Sequence, residues 1–300
     1  MFRRLLSTLN PAAAPSRLAA VSIILLPSRA MNPPVQAVAD LLFDRELTCV
    51  LIKRATRTGD FWSGDIALPG GKAENSETSL ECARRETFEE IGLDLNSAAF
   101  RHLGQGQTIS VNDGKPNAMK VVPHFFVWTA AQSSASFPPF VLSEAEVAYA
   151  FLHSVDYILS RSSSSEDYYC VDLESRYIPL LERQNRPLAA SLSRVVMRLF
   201  FLRTVDFPSI SLTHVHGSDR LWGMTRRILL ENLNSGAHTS ALPILFGGNV
   251  AMRWIGKTLH YATSGRLNSM HNLISSVCIF TLAAAGLGGA IISASLGLVR

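Results

Sequence analysis

The stretch GKAENSETSLECARRETFEEIGL, Gly71 to Leu93, decides the reading of this chain. Thr78 and Glu81 have the spacing of a capping box, so a helix is expected to begin there. Gly92 is a natural stop for it. Leu80, Ala83, Thr87 and Ile91 recur at helical spacing and give one semi-apolar face. Glu86, Glu89 and Glu90 fall at i, i+3 and i+4 and converge on another. That arrangement is unfavourable by itself. Like charges at this spacing cost a few tenths of a kcal/mol per pair. Carboxylates in the last turn also face the negative end of the helix dipole, worth roughly 0.3–1 kcal/mol each. A hard divalent cation, Mg2+ or Mn2+, would reverse both penalties, because it takes clustered carboxylate oxygens together with water and phosphate. The competing reading is a solvated acidic face, which is what most clusters of glutamates are.

The spacing decides between the two. The segment resembles the Nudix box, G-x5-E-x7-R-E-U-x-E-E-x-G-U with U aliphatic. Gly71, Glu77, Arg85, Glu86, Glu89, Glu90, Gly92 and Leu93 fill its positions. Thr87 departs from it, standing where a larger aliphatic residue is expected, on the buried side of the helix. The resemblance implies a Nudix-type α/β/α sandwich around a mixed sheet. It also implies that Glu86, Glu89 and Glu90 are the metal ligands, one of the last two serving as base for the attacking water. Arg85 would pair with a carboxylate and fix its rotamer. Glu77 would tie the helix start to the preceding loop. Gly71 would let the backbone approach substrate or metal closely. The metal would neutralise diphosphate oxygens and lower the pKa of a bound water.

Working outward, Leu51 to Lys72 (LIKRATRTGDFWSGDIALPGGK) resembles the signature that precedes the box in coenzyme A diphosphatases. Gly64 has the right spacing before Leu68-Pro69-Gly70-Gly71. Leu68 replaces a typical Phe, and no arginine stands at that pattern's second arginine position. Trp222-Gly223-Met224-Thr225 is similar to a W-G-x-T sequence of the same branch, although core packing alone would also explain Trp222. Arg54 is a candidate substrate contact. Glu144 or Glu146 could supply a further ligand or base, unless both simply sit on an exposed first turn of a helix. The resemblance covers about residues 17 to 233, with 160–204 as an insertion without an assignable role.

Secondary structure follows from periodicity and turn signals. Ala20–Leu26 and Thr48–Ile52 read as buried strands. Strands are also expected around Gln107–Val111 and Val121–Thr129, with Asn112-Asp113-Gly114 as the turn between them. Helices are expected at Thr78–Ile91, Glu144–Leu159, Leu188–Leu202 and Arg220–Leu233. Ser160–Ser165 reads as a serine-rich loop.

Charge separates this body from its ends. All 24 acidic residues lie between Asp40 and Glu231, where 20 basic residues leave a net charge of −4. The first thirty residues carry Arg3, Arg4, Arg17 and Arg29 without an acid. The part after Glu231 carries Arg253, Lys257, Arg266 and Arg300, again without one. A nucleic-acid binder would concentrate basic charge on its folded body, so that class is disfavoured. Basic ends point to targeting or a membrane surface. Residues 1–16 read as a flexible basic leader, 17–235 as the hydrolase domain and 236–272 as a basic juxtamembrane linker. Leu273 to Val299 has no charge over 27 residues. At 1.5 Å per residue it would reach about 40 Å as a helix, enough to cross a bilayer. A C-terminal transmembrane helix is therefore expected, with the positive-inside bias holding the catalytic domain in the cytosol. The endoplasmic reticulum, peroxisome or outer mitochondrial membrane would host it; a mitochondrial leader is the alternative. Four scattered cysteines without C-x-x-C read as reduced thiols.

These readings converge on a Mg2+- or Mn2+-dependent hydrolase that cleaves a diphosphate bond in a nucleotide-derived small molecule. Coenzyme A or an acyl-CoA is the first candidate substrate. An oxidised nucleoside triphosphate or a dinucleoside polyphosphate is the second, and a non-catalytic nucleotide-sensing module at a membrane the third. The oligomeric state has no signature in the sequence.

Overall fold

Strand β1 (Leu18–Leu26) organises the sheet, because nearly every side chain on it is apolar and it is covered on both faces. In the computed structural model, which describes residues 17–28, 41, 44, 46–57, 60, 62–74, 76–111, 119–129, 136–161, 167–183, 187–199, 204–233 and 245–246, β1 runs parallel to β7 (Met119–Trp128) from Leu18↔Lys120 to Leu25↔Val127. Its other edge is shared. The start of β1 pairs antiparallel with β4 (Gly70–Lys72). Its end pairs antiparallel with β2 (Thr48–Arg54). β2 also carries β3 (Ile66–Ala67) and β8 (Val147–Ser154), while β5 (Phe100–Gln105) and β6 (Ile109–Val111) flank β7. The sheet is therefore mixed, as expected.

Alternation along the central strands sorts the core into two sides. Ile24, Leu26, Val50, Ile52 and Phe126 pack with Ile91 at the end of α1 (Ser79–Ile91). Ile23, Leu25, Cys49 and Leu51 pack with Ile228, Leu229 and Leu233 of α5 (Gly223–Leu233). One helix on each face gives the α/β/α arrangement. A second sheet is built on β10 (Thr204–His214), which pairs with β9 (Tyr168–Asp172), β11 (Gly217–Trp222) and β12 (Leu245–Phe246).

Two expectations are corrected. Residues 144–159 are not one helix. Residues 144–146 form a turn, β8 follows, and only α2 (Val155–Ser160) is helical. The alanines and glutamates there favour a helix locally. Antiparallel pairing of β8 with β2 from Thr48↔Ser154 to Arg54↔Val147 overrides that preference. The last helix begins at Gly223 rather than Arg220, because 217–222 complete the β10–β11 hairpin. Within the inserted segment the described elements lie at 168–183 and 187–199. Its strand β9 joins β10, and α3 (Leu173–Arg183) and α4 (Pro187–Leu199) follow. The leader 1–16, the turn at 112–114, most of 236–272 and the apolar segment 273–299 lie outside the described residues. Among the described residues, no helix is long and apolar enough to cross a membrane.

Candidate active site

Helix α1 is capped as its sequence requires. The Thr78 side chain accepts from the Glu81 N–H, the Glu81 side chain accepts from the Thr78 N–H, and Gly92 closes the helix at φ 72°. Thr87 is fully buried, and strand β1 answers its hydroxyl. Thr87 Oγ1 lies 2.8 Å from Ser22 Oγ, and both hydroxyls reach the Ala83 carbonyl, at 2.7 and 3.1 Å. The departure from an aliphatic residue is thus matched by a polar partner on the strand beneath.

The helix brings Glu86 and Glu90 against the Gly70-Gly71 backbone. The Gly70 N–H donates to Glu90 Oε2 at 2.9 Å. Gly70 has φ 149°, and a Cβ there would stand 2.2 Å from the Ala20 carbonyl oxygen. A Cβ on Gly71 would lie 2.4 Å from the Glu86 carboxylate. Only glycine allows so close an approach. Glu90 is 4% exposed. Burial pushes its carboxyl up to about 7, with the Glu86 charge adding to the rise and the Gly70 hydrogen bond opposing it. Glu86 is raised as well, mainly by burial, against the pull of Arg85. Two desolvated carboxylates that repel each other in this way invite a cation.

Arg85 is the hub beside them. Its Nε and Nη2 donate to the two oxygens of Glu77 at 2.9 and 3.0 Å, and Nη2 also donates to the Lys72 carbonyl at 3.1 Å. Nη1 donates to Glu89 at 2.9 Å and stands 3.1 Å from Glu86. Hydrogen bonding to Arg85 holds the Glu77 carboxyl below its ordinary range. Glu77 also accepts from the Glu74 N–H, so it does tie the helix to the preceding loop. Glu89 is the most exposed of the three box glutamates and is turned toward Arg85.

Residues outside the box separate into near and far. The Glu146 charge adds to the rise of both Glu86 and Glu90, while its own carboxylate accepts from Arg57 at 3.2 Å. Glu144 is exposed on the turn and has no comparable influence. Arg54, at the end of β2, lowers Glu90 electrostatically and donates through Nη2 to Asp60 at 2.8 Å. Its Nε–H is buried without a hydrogen-bond partner. Sequence reasoning missed Asp60 and Asp65, because the Asp60–Arg54 and Asp65–Arg176 pairs are made by the fold and have no motif spacing.

Among the described residues, no three His, Cys, Asp or Glu side chains already stand in metal-holding geometry. The donor chemistry still fits a hard cation. Mg2+ typically uses one or two carboxylates and completes its shell with water and substrate phosphate. Glu86 and Glu90 would supply those two carboxylates beside the Gly70-Gly71 backbone.

The family model described as NUDIX domain matches residues 33–173. An uncharacterized protein of Schizosaccharomyces pombe is 41% identical over 56 residues, 18% of this chain and 17% of that protein, so the match spans under a fifth of the relative's length. Similar solved structures include a C. elegans Ap4A hydrolase (13% identical, 48% of this chain, 84% of that chain, TM-score 0.34). The NUDIX domain of Shewanella oneidensis NrtR, complexed with ADP ribose, is 15% identical over 53% of this chain and 87% of that chain, with TM-score 0.32. A bifunctional NMN adenylyltransferase/ADP ribose pyrophosphatase of Francisella tularensis, complexed with AMP and a Mn ion, is 18% identical over 51% of this chain and 37% of that chain, with TM-score 0.32. The filled box and the family match point the same way: residues 33–173 of this chain are similar to the NUDIX domain family.

Proposed function

We propose that this chain is a divalent-metal-dependent diphosphatase that opens a P–O–P bond in a nucleotide derivative. The observation that carries the reading is the pair Glu86 and Glu90, desolvated side by side and pressed against Gly70-Gly71. A purely binding module has no use for such a pair, which costs stability without a cation. Glu86, Glu89 and Glu90 would hold Mg2+ or Mn2+. Bound there, the metal would offset charge on the diphosphate oxygens and acidify a water. The chain's own groups do the rest. Arg85 holds Glu77, Glu86 and Glu89 in place. Glu90, with its raised affinity for a proton, or Glu89, more open to solvent, takes the proton from the attacking water. Arg54, whose side chain is partly exposed, would offer its guanidinium to a phosphate oxygen. Glu146 is a further ligand or base.

For the substrate we favour coenzyme A or an acyl-CoA, giving 3′,5′-ADP and a phosphopantetheine. The flanking sequence from Leu51 to Lys72 and Trp222-Gly223-Met224-Thr225 support that choice. A product-resolved assay of the full chain with Mg2+ and with Mn2+, across coenzyme A, acyl-CoA, ADP-ribose, dinucleoside polyphosphates and oxidised nucleoside triphosphates, tests it. The coenzyme A reading requires the highest kcat/KM on the first two. A tenfold preference for any other member would replace it.

The location is proposed from sequence. The uncharged segment Leu273–Val299, with Arg253, Lys257 and Arg266 before it, supports a C-terminal anchor that leaves the catalytic domain in the cytosol. A tagged full-length chain should then resist carbonate extraction while its catalytic domain is digested by protease added to intact organelles. Release by carbonate, or a protected catalytic domain, would refute this topology.

A further inference from the structure

The inserted segment lacks a role in the sequence, yet one of its side chains reaches the loop that leads into the active site. Arg176, on α3, donates from Nη1 and Nη2 to the two oxygens of Asp65 at 2.7 and 3.0 Å. Asp65 also accepts from Trp222 Nε1 at 3.2 Å. The Arg176 guanidinium lies 5.4 Å from the Trp222 ring centre, with Tyr169 and Phe207 at 5.3 and 5.0 Å from the same ring. Residues from β9, α3 and β10, together with Asp65, thus converge on one indole and fix its plane.

On that indole rests a second one. Trp62 lies 5.9 Å from Trp222 with 38° between the rings, and it remains 39% exposed. The backbone of Trp62 is held from both sides. Its N–H donates to Asp60 Oδ1 at 3.0 Å, and its carbonyl accepts from the Asp65 N–H at 3.3 Å. Asp60 is in turn the partner of Arg54, whose charge acts on Glu90. Asp65 carries the opposite end of the loop, where its carbonyl accepts from the Arg54 N–H at 3.0 Å. Trp62 is therefore joined to the metal-binding end of the molecule through Asp60 and Arg54. The same loop then continues into Gly70-Gly71. An exposed indole on the loop whose Asp60 holds Arg54 suits a flat, uncharged ring attached to a phosphate.

We propose that Trp62, stacked on Trp222 and braced by the Asp65–Arg176 pair from the inserted segment, is the platform on which the planar base of the nucleotide substrate stacks. The proposal rests on the nucleotide-diphosphatase reading and names where its base is bound. Trp62 is the contact residue. Arg176 is a positioning residue, acting through Asp65 and Trp222.

The test uses two probes that share a phosphate and differ in the base, AMP and ribose 5-phosphate, titrated calorimetrically into the full chain. The native chain should bind AMP at least tenfold more tightly, since stacking one base on an aromatic ring is worth roughly that much. Trp62→Ala should remove most of that difference and leave ribose 5-phosphate unchanged, while Trp62→Phe keeps most of it. Arg176→Lys keeps a cation but loses the fork on Asp65. It should reduce the AMP preference severalfold and, in turnover on the substrate found by the panel above, raise KM while kcat holds. A general loss of structure would instead lower kcat and weaken both probes together. Equal binding of the two probes by the native chain, or an AMP preference that survives Trp62→Ala, overturns the platform. The parent reading fails separately: a chain that cleaves no diphosphate but shows Trp62-dependent AMP binding retains the platform and loses the catalytic assignment.

Discussion

Glu90→Gln should lower turnover on whichever diphosphate this chain cleaves by about a thousandfold, through loss of metal binding and of proton acceptance, while the fold survives. The substitution is close to isosteric, and the amide oxygen can still accept from the Gly70 N–H that now lies 2.9 Å from Glu90 Oε2. What disappears is one negative charge. Without metal that loss should stabilise the protein at neutral pH and above. Glu90 is buried beside Glu86, and its carboxyl is pushed up to about 7 by that burial. Keeping it ionised therefore works against folding. Native protein should gain thermal stability on adding Mg2+ or Mn2+, and the variant should gain much less. Steady-state kinetics at saturating metal, with melting curves in chelator and in metal, measure both effects. Near-native turnover by the variant would remove Glu90 from the mechanism.

The helix that carries Glu90 was legible because its signals are local. The capping box, the apolar spacing and Gly92 lie within fifteen residues, and all three take the predicted form. The glutamate spacing was legible for the same reason, since α-helical geometry alone determines which side chains share a face. What sequence reasoning could not see was contact across long separations. Residues 144–159 carry helix-forming alanines and glutamates, and only the pairing of β8 with β2 makes the middle half of the segment a strand. Nothing local marks Arg176 as the partner of Asp65, 111 positions away. Trp222 stands in a motif, and core packing is the competing explanation that sequence alone leaves open. The structure agrees that it is buried and adds Asp65, Arg176 and Trp62 around it. Glu144 and Glu146 could not be ranked from sequence, because a turn rather than a helix orients them. Thr87 marked a packing question, and its answer, Ser22, lies 65 residues earlier on β1.

The pH dependence of stability should expose two opposed groups. His124, on β7, is 3% exposed. Its Nε2 lies 2.9 Å from Ser79 Oγ and its Nδ1 3.1 Å from His102 Nε2. Burial first, then the neighbouring His102 and Arg84, push its imidazole down to about 4. His102 is lowered too, by burial and by Arg84. The folded protein therefore keeps His124 neutral where the unfolded chain already protonates it, near 6.5. The stability this contributes is complete above pH 6.5 and is lost as pH falls toward 4. At 1.36 kcal/mol per unit, the loss is on the order of 3 kcal/mol. Glu90 acts in the other direction. Its folded pKa stands above the unfolded value, so its contribution favours the folded state below about pH 4.5 and disappears as pH rises through 7. Between pH 4.5 and 6.5 the two largely cancel, and the native protein should show little net change from this pair. Single substitutions uncover each one. Glu90→Gln leaves His124 unopposed, so its stability relative to native should fall with acid across that window. His124→Asn leaves Glu90 unopposed, and its stability relative to native should rise. Denaturant unfolding at pH 4.5, 5.5, 6.5 and 7.5 in chelator measures the slopes. Parallel curves for native protein and His124→Asn would mean that His124 does not carry a buried neutral imidazole.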